Sequence, residues 1–522
     1  MQLPSFPFKI LALAPFSLEE HAPWSTAPIR IDKTTLDQAM EDMGLSFYVS
    51  LPKDLCQAGG LTITCKRLKD FHPDCLIKNN VFLKNLLDAK KFIDETRLKG
   101  LSVQKIGARL KEWPGLPPIH IVTEHQKAGR TSTSAVDDIL KIVALPEERP
   151  SSHAETDVLT AQIDAILLPI LSHIFSNEKF RNLEAIWRGL RFLIQQGGVN
   201  KKLAFEVVPV SFETLDKTLN NLTTGLIHNL PSLFIIALPF DNSPRSLELL
   251  EKIAEFSQTL MVPSICWITH KFLYLDTWKD IKRLPFLPHY LKEPTFAKWR
   301  RLRKISSARW LVVTCNSFLA RYPYGIDNKP RLVRFEEHDR LWASPVWAIG
   351  CLVGKSFVKT GWPTRFTEWQ NIRVEDLALN TADADKPIPT ETHFTEERID
   401  QFARAGIIPL VASPNQDIAF MPVETTVAGG SLKYQSLISR LTQLLFWCKD
   451  NFKDDLEPAE IQEGLEEAFS LYWERSRHMI PTSLIISTSQ SRPDNRIPIR
   501  IVIEPSRQIL PSGEKVELEF IW

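Results

Sequence analysis

Between residues 162 and 196 apolar side chains recur at helical spacing: Ile163, Ile166, Leu167, Ile170, Leu171 and Ile174, then Phe180, Leu183, Ile186, Trp187, Leu190, Leu193 and Ile194. A wide apolar stripe on each half predicts two helices that bury a face, broken at Ser176-Asn177. Gly197-Gly198 is expected to stop the second, because glycine accepts the left-handed conformation of a helix end. On periodicity alone this is a buried helical hairpin. Ahead of it, Phe8 to Ala14 reads as a buried strand, and Leu61, Ile63 and Cys65 alternate with polar neighbours as in a half-buried strand. Leu83, Leu86, Leu87 and Ile93 mark a helix. Behind the hairpin, 203–210, 233–239, 261–269 and 310–314 read as strands, with helices over 212–228 and 246–258. Residues 407–413 and 417–423 flank Pro414-Asn415-Gln416 as a hairpin. A helix over 458–475 carries Ile461, Leu465, Phe469 and Tyr472 on one side, and 484–487, 499–503 and 516–521 close the chain as short strands. The expected fold class is α/β, with mixed sheets covered by helices and antiparallel additions near the C-terminus.

Length divides this pattern into parts, since 522 residues exceed one ordinary core. A first unit over 1–125, a linker over 126–160 and a second unit over 161–522, itself of two subdomains, are expected. The linker is small and polar at Ala128 to Ser134 and punctuated by proline at Pro146 to Ser152, with a short helix over Val136 to Leu145. A net charge of +1 supplies no global field towards nucleic acid or a membrane surface. The seven cysteines are scattered without a Cys-x-x-Cys pair, which points to a reducing compartment and away from a disulfide framework or zinc. Residues 1–16 carry one lysine and three prolines, unlike a secretory signal. The longest apolar stretches, such as Leu233 to Leu238, are read as strand-length, far short of a membrane span. A soluble cytoplasmic protein without direct membrane insertion is therefore expected.

Candidate chemistry is sparse. Gly350-Cys351-Leu352-Val353-Gly354-Lys355-Ser356 approaches a phosphate-binding loop but has three residues between its glycines where four are needed to wrap a phosphate. A nucleotide-binding enzyme using this loop is the alternative of a different class. No nucleophile elbow, zinc-protease or calcium-loop motif occurs. His72 and Cys75 have ligand-like spacing but are two residues only, so no metal and no cofactor are expected. Lys298-Trp299-Arg300-Arg301-Leu302-Arg303-Lys304 could bind phosphates with the ring stacked on a base; a solvated or internally paired face is the commoner outcome. The acidic stretch with Glu460, Glu463, Glu466 and Glu467 offers a third use: basic and acidic patches meeting head to tail between copies, which builds a helix when the contact does not close.

The phrase Phe180-x-x-Leu183-Glu184-x-x-Trp187-Arg188-Gly189-Leu190 resembles the signature of the large contractile-sheath subunit of bacterial type VI secretion systems. Upstream, Leu68-Lys69-Asp70-Phe71-His72-Pro73-Asp74 followed by a leucine-rich helix, with Phe6-Pro7-Phe8 before it, is similar to the small sheath subunit of the same machines. Downstream, a Trp299 to Arg309 basic passage, Leu319-x-Arg321-x-Pro323-Tyr324-Gly325, Leu341-Trp342, Gly361-Trp362, Gly406 to Leu410 and Asp417 to Phe420 follow the large subunit in order. The chain thus resembles a natural fusion of both subunits.

The resemblance implies a mechanical protein rather than an enzyme. It implies a homopolymer around an inner tube that shortens by repacking between neighbours, with a baseplate and possibly a recycling ATPase as partners. It marks Asp70, Phe71, Pro73, Trp187, Arg188, Gly189, Arg321, Pro323, Tyr324, Gly325, Trp342 and Trp362 as family signature residues. Arg300, Arg301, Arg303, Glu463, Glu466, Ile499, Ile501 and Ile503 are candidate protomer-interface residues, the isoleucines in a strand that could add to a neighbour's sheet. The chain departs from the pattern in starting almost at the Pro-Phe element and in lacking the C-terminal Pro-Gly-x-Tyr phrase. A sheath-like cap, baseplate or nucleating component is the alternative.

Overall fold

The computed structural model describes residues 6–17, 27–99, 101, 103–113, 116, 153–197, 202–326, 328–381, 386–453, 456–475, 481–488 and 497–522. They form two compact units that alternate along the chain. One comprises 1–39, 183–322 and 340–522, the other 40–182 and 323–339.

The larger unit is built on a seven-stranded sheet. In spatial order its strands are Ile407–Pro409, Leu311–Cys315, Ser264–Ile268, Leu233–Phe240, Phe8–Ala14, Leu203–Pro209 and Ile29–Ile31. All neighbours run parallel except Ile29–Ile31, which closes one edge antiparallel. The N-terminal strand Phe8–Ala14 lies near the middle, with every residue buried. It pairs Phe8 to Ala14 with Leu203 to Pro209 on one side and Ile10 to Leu13 with Leu233 to Ile236 on the other.

Parallel strands covered on both faces read as continuous apolar runs, which accounts for Leu233 to Leu238. On one face Leu11, Leu13, Phe234, Ile236, Leu311 and Val313 join a core with Leu219, Leu222, Leu249, Leu250 and Ile253 of the helices Leu215–Gly225 and Pro244–Leu260. The other face carries Ile10 and Ile235 against the helix Pro345–Thr360. A second core unites the helices Leu432–Asn451 and Pro458–Arg475 with a three-stranded antiparallel sheet, ordered Ser483–Thr488, Pro498–Glu504, Val516–Ile521.

The smaller unit holds a two-stranded hairpin, Ser46–Ser50 with Gly60–Thr64, and the helices Pro73–Asn79, Val81–Leu98 and His153–Ser176. The last two pack together, with Lys90 Nζ 2.7 Å from Asp164 Oδ1.

Several expectations need correction. The first helix of the central hairpin begins at His153, so the end of the expected linker, 153–160, is helical; residues 126–152, including the proposed helix over Val136 to Leu145, lie outside the described residues. Its stretch Asp157–Ser176, with a mean hydropathy of 1.7, has the length and composition to cross a membrane, contrary to the reading that apolar stretches are only strand-length. Ile163, Leu167, Ile170, Leu171 and Ile174 are fully buried in protein, so the apolar stripe is used as a core helix uses it. The run 407–413 splits: Ile407–Pro409 joins the parallel sheet, leaving Val411–Ala412 to pair with Ala419–Phe420. Met261 is the left-handed cap of the preceding helix, so the strand expected over 261–269 starts at Ser264.

Candidate functional site

The signature of the central helix is built around one buried carboxylate. In the helix Glu178–Gln196, Glu184 and Arg188 stand one turn apart, and Arg188 Nε donates to Glu184 Oε1 at 2.7 Å. Arg321, from just beyond the short strand Phe318–Leu319, closes the pair from the other side: its Nε reaches Oε1 at 2.7 Å and its Nη2 reaches Oε2 at 3.0 Å. Burial by itself opposes ionisation of Glu184. The guanidinium charges of Arg321 and Arg188, with their hydrogen bonds, prevail and hold the carboxyl below its ordinary range. Two motifs 137 residues apart are thus one fork-shaped ion cluster. Glu184 stands in the signature phrase, and its Glu-x-x-x-Arg spacing to Arg188 is the local sign of the pair, but nothing nearby in the sequence points to Arg321.

Trp187 is fully buried, with Nε1 donating to Phe16 O at 3.3 Å and its ring edge-on to Phe16. Gly189 has a packing role. A Cβ there would sit 2.8 Å from Trp347 Cε2 and closer still to Cδ1 and Nε1, so only glycine lets the helix backbone meet that ring. Trp342 pairs with Leu319 in a two-residue ladder, and Trp362 is buried against Trp473 and Tyr472.

In the smaller unit Asp70 folds its own segment: Oδ2 accepts from Lys66 N and Arg67 N, both at 3.0 Å, and Oδ1 from Asn79 Nδ2 at 3.1 Å. Phe71 packs on Phe180 with ring centroids 5.2 Å apart. Pro73 occupies the first helical turn, where a missing N–H costs nothing. Asp74 holds the amides of Arg331 and Leu332, each at 3.0 Å, while His72 Nδ1 caps Asp74 N at 3.2 Å. Pro323 begins the chain's second passage into this unit, and Tyr324 follows with its ring against His72 and Phe175. Gly325 N donates to Asn328 O at 3.3 Å. All these residues build the fold.

The alternative chemistries meet other geometry. Gly350 to Ser356 lie inside the helix Pro345–Thr360, and a Cβ on Gly350 would collide with Ile235. These glycines serve close helix–sheet approach, and a phosphate cradle needs a loop instead. Trp299 is fully buried, edge-on to Phe272, and cannot stack on a base. Among the described residues no group of three or more His, Cys, Asp or Glu could hold a metal ion.

The candidate interface residues divide. Arg300 donates to Leu291 O and Glu293 O, and Arg303 to Val427 O and Arg404 O, so both guanidinium groups are engaged within the chain. Arg301 is 74% exposed and pairs with Glu251 at 3.1 Å. Lys298, Lys304, Glu463 and Glu466 are exposed. Ile499, Ile501 and Ile503 are buried in the C-terminal core on the central strand of their sheet, already paired on both sides. The expectation that this strand could add to a neighbour's sheet is thereby corrected, since it has no free edge.

A signature-bearing helix, a covered sheet parallel in all but one edge strand, and carboxylates spent on folding describe a structural α/β protein. The family model described as EvpB/VC_A0108, tail sheath N-terminal domain, matches residues 157–226 and 231–428, just over half of the chain. The chain belongs to this type VI secretion sheath family, whose members are structural proteins and not enzymes. A second model, described as Type VI secretion system, VipA, VC_A0107 or Hcp2, matches residues 3–112, so parts of both subunit types stand in one chain. The Type VI secretion system sheath protein TssC1 of Pseudomonas aeruginosa is 27% identical over 293 residues, covering 50% of this chain and 59% of that protein. The chain therefore spans less than two thirds of that relative's length. Among solved structures, a chain of the anti-feeding prophage baseplate is 11% identical with a TM-score of 0.35, over 64% of this chain and 75% of its own. A chain of the contracted anti-feeding prophage helical sheath is also 11% identical at 0.35, over 63% and 76%.

Proposed function

We propose that the chain is a protomer of the contractile sheath of a type VI secretion machine, joining small-subunit-like residues 1–125 and large-subunit-like residues 161–522 through a linker. In this reading it polymerises in the cytoplasm around an inner tube, attaches to a baseplate, and shortens to drive the tube outward. One observation carries the proposal: the small-subunit match contributes the strand Phe8–Ala14 between two strands of the large-subunit match, so both parts complete one sheet.

Copies can be linked where backbone remains unpaired. Within the described sheet, Ser483–Thr488 and Val516–Ile521 are edge strands and could accept a neighbour's strand. The exposed cations Lys298, Arg301 and Lys304 and the exposed acids Glu463 and Glu466 form a second, charge-complementary pair of surfaces. Negative-stain microscopy of the purified chain tests the proposal: long hollow cylinders are expected. Small rings alone would replace the sheath reading with a cap or baseplate component, and monomers at high concentration would refute assembly. Arg301→Glu is expected to weaken polymerisation and Glu463→Lys to restore it in part; unchanged assembly removes the charge pairing.

A further inference from the structure

Within the larger unit an open cleft of about 620 Å³ lies where the loop 424–431 meets the start of the helix Leu432–Asn451 and the turn before the strand Val516–Ile521. Small-molecule sites usually enclose about 300–1,000 Å³. The loop holds its own shape, with Thr426 N donating to Gly430 O at 2.9 Å and Gly429 N to Thr426 O at 2.8 Å. Gly429 leaves the wall open, since a Cβ there would meet nothing within 4 Å. Glu424 is already spent: Oε1 accepts from Ser431 Oγ at 2.7 Å, and Oε2 from Leu432 N. Three other lining groups are not. Gln435 is 7% exposed, and its Oε1 has no hydrogen-bond partner. Arg309 and Glu514 are exposed, and neither belongs to an ion pair among the described residues. Both charges act on Tyr434, whose phenol is raised by burial and by Glu514 and lowered by Arg309.

A buried amide oxygen without a partner is costly, and a ligand that supplies a donor removes that cost. The two free charges then decide which ligand. A carboxylate alone suits Arg309 but is repelled by Glu514, and an ammonium alone meets the reverse; a molecule that carries both satisfies both. We infer that this cleft binds a small zwitterion of the amino-acid class, its carboxylate towards Arg309, its ammonium towards Glu514 and a side-chain amide paired with Gln435. An amide matches Gln435 because each presents a donor and an acceptor side by side. The inference does not depend on polymerisation.

Ligand-observed NMR on the full-length, unassembled chain tests it, with L-glutamine, glycine, acetate and methylammonium as probes. L-Glutamine is expected to bind with a dissociation constant of about 1 mM. Glycine, which lacks the amide, should bind about tenfold more weakly, and the two single-charge probes more weakly still. Arg309→Gln and Glu514→Gln alter exposed side chains, so the thermal midpoint should hold while L-glutamine binding falls about tenfold. Gln435→Met removes a polar group that has no partner. Its thermal midpoint should hold or rise, and L-glutamine should drop to the level of glycine, which a merely structural Gln435 would not produce. No binding of L-glutamine up to about 10 mM overturns the site. Acetate or methylammonium binding as tightly as L-glutamine overturns the zwitterion, and undiminished binding in all three variants overturns the cleft as its location.

Discussion

Gly189→Ala is a sharp test of the packing that places the signature helix. The added methyl would lie 2.8 Å from Trp347 Cε2 and nearer to two other atoms of the ring, against the 3.4–4 Å of ordinary contact. Trp347 is fully buried in the helix Pro345–Thr360, whose opposite approach to the sheet is set by Gly350 against Ile235, so the ring cannot withdraw cheaply. Overpacking of this kind costs roughly 1–3 kcal/mol, and alanine's better helix propensity returns about 1 kcal/mol. A net destabilisation of up to about 2 kcal/mol is expected. Gly225→Ala is the matched control: it ends the helix Leu215–Gly225, a Cβ there meets nothing within 4 Å, and the same propensity term should stabilise it by a few tenths to about 1 kcal/mol. Opposite shifts in the thermal midpoint are therefore expected, with faster exchange around 186–192 only in Gly189→Ala. If Gly189→Ala were stabilised as much as Gly225→Ala, the steric account would be wrong.

Three further outcomes follow from burial and pairing. Burial, partly offset by hydrogen bonds from Ser317, pushes the Glu391 carboxyl up to about 7. The unfolded chain therefore ionises this group first, and its contribution is best on the acid side and lost as pH climbs from the ordinary carboxylate range to about 7. Glu391→Gln should remove that slope in denaturant midpoints measured across the interval, and an identical slope would show that Glu391 does not titrate there. Burial also raises the thiols of Cys351 and Cys448 to about 12, and Cys75 alone among the seven cysteines is half-buried. In a thiol-reagent time course near pH 8, Cys75 should react first, with Cys351 and Cys448 silent until unfolding; seven equal rates would contradict the burial. A protease site inserted between 126 and 152 and then cut should leave both pieces together on a sizing column under native conditions. Phe8–Ala14 is hydrogen-bonded on both sides and completely buried, so separation of the pieces would refute its central place.

Where burial follows a simple period, the elements were legible from sequence. The strand Phe8–Ala14 and the helix Pro458–Arg475 fall at their expected bounds, and the break at Ser176-Asn177 is real because Asn177 Oδ1 caps Phe180 N. Two long helices were not legible. Pro345–Thr360 is buried almost all round and shows no polar face, while Leu432–Asn451 hides Gln435, Ser436, Ser439, Arg440 and Thr442 among its apolar residues. A helical stripe is a contrast between faces, and both lack it.

The sequence by itself determined the family, the absence of a phosphate-binding spacing, and the local reasons for Asp70 and Pro73, because each depends on residues close together in the chain. Only the tertiary structure decided that Phe8–Ala14 stands mid-sheet, that Arg303 is spent on carbonyls, that Ile499, Ile501 and Ile503 face a core, and that Glu184 meets Arg321. Those outcomes join residues far apart in the chain, and no local pattern records which distant partner will desolvate a charge or pair a strand.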